Sequence, residues 1–370
     1  MNLLYYLFCI FSLCACGGNN AQSKTKGETV ETKGPKEDVK YVNSIKLTSP
    51  VKNKLYRFHE PLPISFQTKD RFPVDSAVIY VDGRQVGIMG KGVTDYVYPV
   101  PAGKTGNHTL KVIAWHPGGK KGVASVNIRV KPDQAPVPYA YEVMKVYPHD
   151  PNAYTQGLFY HNGYMYEGTG QYGESSIRKT DMKDGKILSI LNIDSQLFGE
   201  GITIYGDKIY QITWRSHKGF VYDLKTFSLE STFQYNSEGW GLTTAGDHLI
   251  MSDGSNKLYH IAPSGFTIIK EVEVYDHQGP VDQLNELEYA DGLVWANIWL
   301  TERIIGIDPE TGVVKAELDM SSLLKPVERM QLDDKDDVLN GIAYNPDRAT
   351  FYVTGKRWPK MFEIKIKKQQ

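Results

Sequence analysis

The chain has no cysteine after position 16; its three cysteines are Cys9, Cys14 and Cys16. Everything beyond that point therefore lacks a disulfide, a thiol nucleophile and a cysteine zinc site. The chain also lacks a surplus of either charge, with 42 Lys and Arg against 43 Asp and Glu. No Lys/Arg block is long enough to follow a phosphate backbone, which argues against nucleic acid as a partner. There is no Gly-rich phosphate loop and no Gly-x-Ser-x-Gly elbow. The histidines are scattered singly, without metal-ligand spacing. Helical patterns are scarce. What the chain does have is length, 370 residues, enough for two or three domains, and aromatic side chains, including 24 Tyr. Pleated sheets pack such side chains well.

The first residues read as a targeting segment. Leu3 to Cys14 is an apolar run too short to span a bilayer but of the length of a signal h-region, although no Lys or Arg precedes it. Leu13-Cys14-Ala15-Cys16 resembles the bacterial lipobox, which makes residues 1–16 a lipoprotein signal peptide with Cys16 as the lipidated residue. The expected location is the bacterial cell envelope, lipid-anchored, facing the periplasm or the surface. Residues 17–40 are almost devoid of apolar side chains and read as a flexible tether.

Residues 41–132 carry short alternating apolar runs with turns between them, among them Asp82-Gly83 between Tyr80-Val81 and Gln85-Val86. This spacing predicts an Ig-like β-sandwich without a chemical constellation of its own. A stiff Pro-containing linker follows, from Lys131-Pro132 to Pro138.

From 139 to 366 the sequence repeats. Five segments begin Gln156-Gly157-Leu158, Glu200-Gly201-Ile202, Trp240-Gly241-Leu242, Asn285-Glu286-Leu287 and Asn340-Gly341-Ile342. Each continues as strand, turn and strand, then a third strand, with a further short strand before the next unit. The chain thus reads as all-β: a five-bladed β-propeller preceded by an Ig-like β-sandwich. The last unit lacks its outer strand, and Tyr141 to Val146 is free to supply it and close the ring.

Aligning the units defines two rings. The first holds Gln156, Glu200, Trp240, Asn285 and Asn340. The second, fourteen residues later in the first four units and sixteen in the fifth, holds Gly170, Trp214, Gly254, Trp299 and Lys356. Strand, turn and strand return the chain to one face, so both rings should crowd one mouth of the channel. One carboxylate, three carboxamides, three indoles and one ammonium make a ligand pocket with aromatic walls. The competing reading is that the polar groups merely tie strand ends together, but three tryptophans have no packing reason to join such a ring. Glu200 is the obvious proton carrier, and tryptophan-lined surroundings should raise its pKa toward neutrality. Lys356 would oppose that shift if it stands nearby. Glu286 and Glu288 are rival carboxylates, but strand alternation directs Glu286 away from Asn285.

These stretches, together with His149 to Leu158, Phe198-Gly199-Glu200-Gly201, Leu284 to Tyr289, Trp295 to Trp299 and Thr354 to Lys360, resemble the plant-type glutaminyl-peptide cyclotransferase family. The resemblance covers 140–366 in order. It implies a five-bladed propeller and a site without metal or other cofactor. It carries the acid/base role onto Glu200, substrate holding onto Gln156, Asn285 and Lys356, and the aromatic wall onto Phe198, Trp214, Trp240 and Trp299. Tyr154 stands where the plant enzyme has Phe.

The implied reaction is attack of a peptide's α-amine on its own glutamine γ-carbonyl, with loss of ammonia and formation of pyroglutamate. Glu200 would move the proton, with indole N–H groups and Lys356 as candidate donors to the oxyanion. Peptides and proteins with N-terminal glutamine are the expected substrates. The alternatives are a metal-dependent propeller hydrolase or lactonase, and a non-catalytic peptide- or glycan-binding propeller. One carboxylate is little charge for a divalent ion, which weighs against the first.

Overall fold

A computed structural model describes residues 40–69, 72–333 and 335–369. The expected signal peptide, Cys16 and the expected tether up to residue 39 lie outside the described residues. Among the described residues no helix is long and apolar enough to cross a membrane.

The alternation in residues 41–132 produces two sheets over one core. In strand Pro61–Thr68, Leu62, Ile64 and Phe66 point inward while Pro61 and Pro63 face water. That strand lies between Ile45–Ser49 and Asp95–Pro99. The opposing sheet is built on the long pair Gly106–His116 and Lys120–Lys131, with Ser76–Val81 and Arg84–Met89 at one side. Asp82-Gly83 makes the expected hairpin turn, both residues at positive φ. Leu110, Val112, Ile79 and Tyr56 are among the side chains sealed between the sheets. Each fully buried aliphatic side chain contributes on the order of 1.5–3 kcal/mol.

Past residue 137 the chain runs as propeller-like four-stranded meanders. Three are separate sheets, for instance Thr155–His161, Tyr164–Thr169, Ser176–Asp181 and Ile187–Asn192. The meanders that start at Leu284–Ala290 and Leu339–Asn345 share one eight-stranded sheet. The strand Val137–Pro148 joins them. It pairs antiparallel with Lys360–Lys368, Val143 opposite Ile364 and Val146 opposite Phe362. This is where the sequence reading put the closing strand. Its start pairs parallel with the preceding unit, Val137 opposite Ala316. The linker is therefore shorter than the sequence suggested. Val137 and Pro138 already belong to a sheet, pairing with Ala316 and Glu317 on one side, while the Pro138 carbonyl accepts the Gln369 N–H on the other.

The first strands of the meanders touch in a closed circuit, Thr155–His161 lying against both Gly199–Tyr205 and Leu339–Asn345. Apolar clusters fill the wedges between consecutive meanders. Phe159 and Ile177 meet Ile202 and Phe220, and Leu158 and Met165 meet Tyr352 and Met361 across the seam. Near the axis the backbones crowd. A Cβ on Gly201 would stand 2.5 Å from the amide nitrogen of Leu242, so only glycine fits there.

The N-terminal sheets dock on the meanders rather than hanging from them. The Thr105 hydroxyl donates to the Thr311 carbonyl at 2.9 Å, and Asn107 Nδ2 to Glu273 Oε1 at 2.6 Å. Val313 enters the core of the N-terminal sheets.

Candidate active site

In four of the units the first-ring residue sits at a break in strand pairing. The register shifts between Thr155 and Gly157, Gly199 and Ile202, Leu284 and Leu287, and Leu339 and Ile342. Gln156, Glu200, Asn285 and Asn340 lie at these irregularities. A bulge leaves its residue out of the ladder and re-aims its side chain. The third unit departs from this pattern: its first strand is Leu242–Ala245, so Trp240 precedes the strand instead of opening it. The second ring is anchored by a repeated backbone bond. The N–H groups of Gly170, Trp214, Trp299 and Lys356 donate to the carbonyls of Tyr154, Phe198, Gln283 and Val338, each two residues before a first-ring position.

These anchors bring all the sequence-predicted substrate residues to one pocket of about 820 Å³, part of it open solvent. Its floor is polar and buried: Gln156, Glu200, Asn285 and Lys356. Its wall is aromatic: Tyr154, Phe198, Trp214, Trp240 and Trp299. Phe198 meets Tyr154 and Trp214 edge to face, at 6.0 and 5.5 Å, and Trp240 meets Trp299 at 5.6 Å and 90°. The two glycines of the second ring make room for this wall. A Cβ on Gly254 would stand 2.6 Å from the Trp240 ring, and one on Gly170 would overlap Phe198.

Asn340 is a first-ring member that does not line the pocket. It stands behind Gln156, its Nδ2 donating to Gln156 Oε1 at 3.1 Å and to the Thr155 carbonyl at 2.9 Å. Gln156 Nε2 donates in turn to Glu200 Oε1 at 3.1 Å. The Thr155 hydroxyl donates to Glu167 at 2.6 Å, and Glu167 pairs with buried His149. The side-chain amide oxygen Oδ1 of Asn285, a residue lining the pocket, is buried and has no partner among the described residues. A buried unpaired acceptor costs free energy until a ligand N–H reaches it.

Burial pushes the Glu200 carboxyl well above the ordinary carboxylate range, the Lys356 ammonium opposes the rise, and the charge of Glu238 adds to it. Burial lowers the pKa of Lys356, and Glu200 and Asp336 pull it back. The Lys356 ammonium lies 4.7 Å from the Tyr154 ring centroid. Glu286, as alternation predicted, leaves the pocket alone. It accepts the N–H groups of Leu158 at 3.1 Å and Ile342 at 2.8 Å, bridging first strands of other units. Glu288 does the same with Tyr344 N–H at 2.8 Å and the Thr243 hydroxyl at 3.2 Å. Both rivals to Glu200 are tied up in the scaffold.

Among the candidate oxyanion donors, the indole N–H groups of Trp214 and Trp240 both donate to Glu238 Oε2, at 2.8 and 3.0 Å. Glu238 was missed in the sequence, yet the aligned repeat contains its signal: it occupies the position of Tyr154 and Phe198, two residues before a first-ring residue. Gln171 and Tyr172, which also line the pocket, were missed too; they simply follow Gly170. Asp336, whose Oδ1 takes the Tyr154 hydroxyl at 2.5 Å, lies in a segment outside the repeat and carried no signal. Among the described residues no group of three or more His, Cys, Asp or Glu is placed to hold a metal ion.

Fold and site define a class: a propeller-like all-β protein with a buried acid on the floor of an aromatic pocket at one mouth. The known proteins narrow it. Residues 120–366 match the family described as Glutamine cyclotransferase. The chain is 40% identical over 228 residues to a glutaminyl-peptide cyclotransferase of Arabidopsis thaliana, a match covering 61% of this chain and 71% of that one. The crystal structure of Myxococcus xanthus glutaminyl cyclase superposes with a TM-score of 0.60 at 34% identity, over 64% of this chain and 100% of that one. The chain belongs to the glutamine cyclotransferase family.

Proposed function

We propose that the chain is a glutaminyl-peptide cyclotransferase in which Glu200 is the general acid/base. The observation that carries this reading is the placement of one buried carboxyl, its pKa raised by burial, beside Gln156 on the floor of a tryptophan-walled pocket. A substrate N-terminal amine has a pKa of about 7.7–8.0, so a weak base suffices to keep it neutral as it attacks. The aromatic wall folds the glutamine side chain so that amine and γ-carbonyl meet, which supplies proximity. As the C–N bond forms, the Glu200 carboxylate accepts a proton from the amine nitrogen. It returns that proton to the γ-amide nitrogen, the old C–N bond breaks, ammonia leaves and the lactam remains. Glu200 ends as it began.

With Trp214 and Trp240 engaged by Glu238, Lys356 and the Trp299 indole N–H are the donors left to face the developing oxyanion. The unpartnered side-chain oxygen Oδ1 of Asn285 accepts a substrate N–H, and Gln156 orients Glu200. The reaction runs without a metal ion. Release of ammonia from a glutamine-initiated peptide, unchanged by exhaustive chelation, tests the reading. Binding without ammonia release leaves a peptide-binding propeller; activity lost on chelation and restored by zinc or calcium leaves a metal enzyme.

The same reading makes residues 139–366 a five-bladed catalytic propeller, each meander one blade and Val137–Pro148 the outer strand of the last. It makes 41–132 an Ig-like spacer, 17–40 a tether and Cys16 the lipid anchor to the bacterial envelope. Supporting it are the closed circuit of first strands and the two-sheet N-terminal core. Fatty-acid labelling that disappears in Cys16→Ala tests the anchor.

A further inference from the structure

The aromatic wall comes in two runs, Tyr154–Phe198–Trp214 and Trp240–Trp299, and no ring contact joins them among the described residues. Glu238 does. Its Oε2 accepts Trp214 Nε1 at 2.8 Å from one run and Trp240 Nε1 at 3.0 Å from the other. Its Oε1 accepts Arg215 Nε at 3.0 Å, and the Arg215 guanidinium lies 3.8 Å over the Trp214 ring. Both tryptophans are only half-buried. Packing alone does not hold a half-exposed indole to one rotamer, and water would satisfy each N–H equally well in several orientations. A single oxygen shared by two donors removes that freedom, because both N–H groups must point at one place and a hydrogen bond weakens steeply off line.

We propose that Glu238 is a positioning residue for the cyclisation, a carboxylate clamp that fixes the mutual angle of Trp214 and Trp240. It thereby sets the width of the cleft in which the glutamine side chain folds back on its own amine. Glu238 touches no reacting atom; its positioning effect runs through the two indoles, beside the separate influence of its charge on Glu200. The inference rests on the cyclase reading of the pocket. Cyclisation is demanding in this respect, since the attacking and attacked atoms belong to one flexible side chain, and a misplacement of about 1 Å costs on the order of 10²-fold in rate. A bare rim ion pair with Arg215 would have none of these consequences, since exposed pairs contribute little.

Full-length wild type, Glu238→Ala and Glu238→Gln are compared by ammonia release from a glutamine-initiated peptide, near-ultraviolet circular dichroism and melting temperature. Glu238→Ala is expected to raise KM about tenfold, to lower kcat about tenfold and to weaken the indole bands, with the protein still folded. Glu238→Gln retains one oxygen able to accept both N–H groups, and is expected to restore all three readouts to within about threefold of wild type. If Glu238→Ala does not fold, Glu238→Asp, which withdraws the oxygen by one methylene, is read by the same criteria. Folded Glu238→Ala with wild-type KM, kcat and indole bands overturns the proposal. So does a Glu238→Gln as impaired as Glu238→Ala, which would make charge rather than the clamp the operative feature. A wild type that releases no ammonia fails the cyclase reading itself; an active wild type indifferent to Glu238 fails only this inference.

Discussion

Gln156 donates from Nε2 to Oε1 of Glu200 at 3.1 Å. The direction of that bond is fixed from behind, because Gln156 Oε1 is already taken by Asn340 Nδ2. The amide therefore presents its NH₂ to the carboxyl, and Glu200 is held by one oxygen. Its other oxygen makes no hydrogen bond among the described residues and is the one left for the proposed proton transfer.

The charge beside this carboxyl gives the first prediction. The Lys356 ammonium favours the ionised form of Glu200 and so holds its pKa below where burial alone would leave it. Lys356→Met removes that influence, and the Glu200 pKa rises further. The acid limb of the kcat pH profile should then move to higher pH, and the plateau should fall by roughly tenfold or more, as for loss of an oxyanion donor. An acid limb that stays in place or moves to lower pH would show that the two groups are not coupled.

Tyr154 gives the second. Its ring belongs to the wall, but its hydroxyl points at Asp336, which also holds Arg357 at 2.8 Å. The hydroxyl is thus engaged in pinning the segment that leads into Leu339–Asn345. Tyr154→Phe should leave turnover within about threefold of wild type and lower stability by about 1.5–3 kcal/mol, the usual worth of a hydrogen bond to a charged group. A hundredfold loss of turnover with an unchanged melting temperature would place the hydroxyl in the chemistry instead.

The propeller-like repeat, the closing strand and the ring residues of the pocket were legible in the sequence for one physical reason, whereas Tyr154 and Phe198 came only from the family resemblance. A repeated fold puts equivalent positions at equivalent places, so aligning Gln156, Glu200 and Asn285 amounts to superposing them. Alternation anticipated that Glu286 would leave the pocket, although it lies with Asn285 at a break in strand pairing. What the pattern could not reveal were contacts between units of unequal kind. Glu238 reaches sideways from its own unit to Trp214 in the one before, and Asp336 lies in an insertion with no counterpart in the other units. The docking of Thr105 on Thr311 was illegible for the same cause, being a bond between parts that share no repeat.

Glu288 supplies a third prediction, about stability. Enclosure between strands raises its pKa from the ordinary carboxylate value to about 8. Between those values the folded protein holds a proton that the unfolded chain has released. Stability must therefore fall as pH rises through this window. Glu200 and Glu286 are raised in the same direction. The melting temperature of wild type should decline from about pH 5 to about pH 8, and Glu288→Gln should flatten part of that decline. A wild type that becomes more stable across the window would contradict the assignment.

The account stands or falls on Glu200. Glu200→Gln keeps the size and the bond to Gln156 but cannot carry a proton. The most direct measurement is ammonia release by the folded mutant, with peptide affinity and melting temperature determined on the same preparation. The expected result is a kcat lower by roughly 10²–10⁴-fold, the usual worth of general acid–base catalysis. Peptide affinity should change far less, because Trp214, Trp240 and Trp299 remain, and the melting temperature should not fall at neutral pH, since a costly buried carboxyl has been removed. Near-normal turnover in a folded Glu200→Gln would contradict the account, as would a loss of turnover explained entirely by a fall in stability.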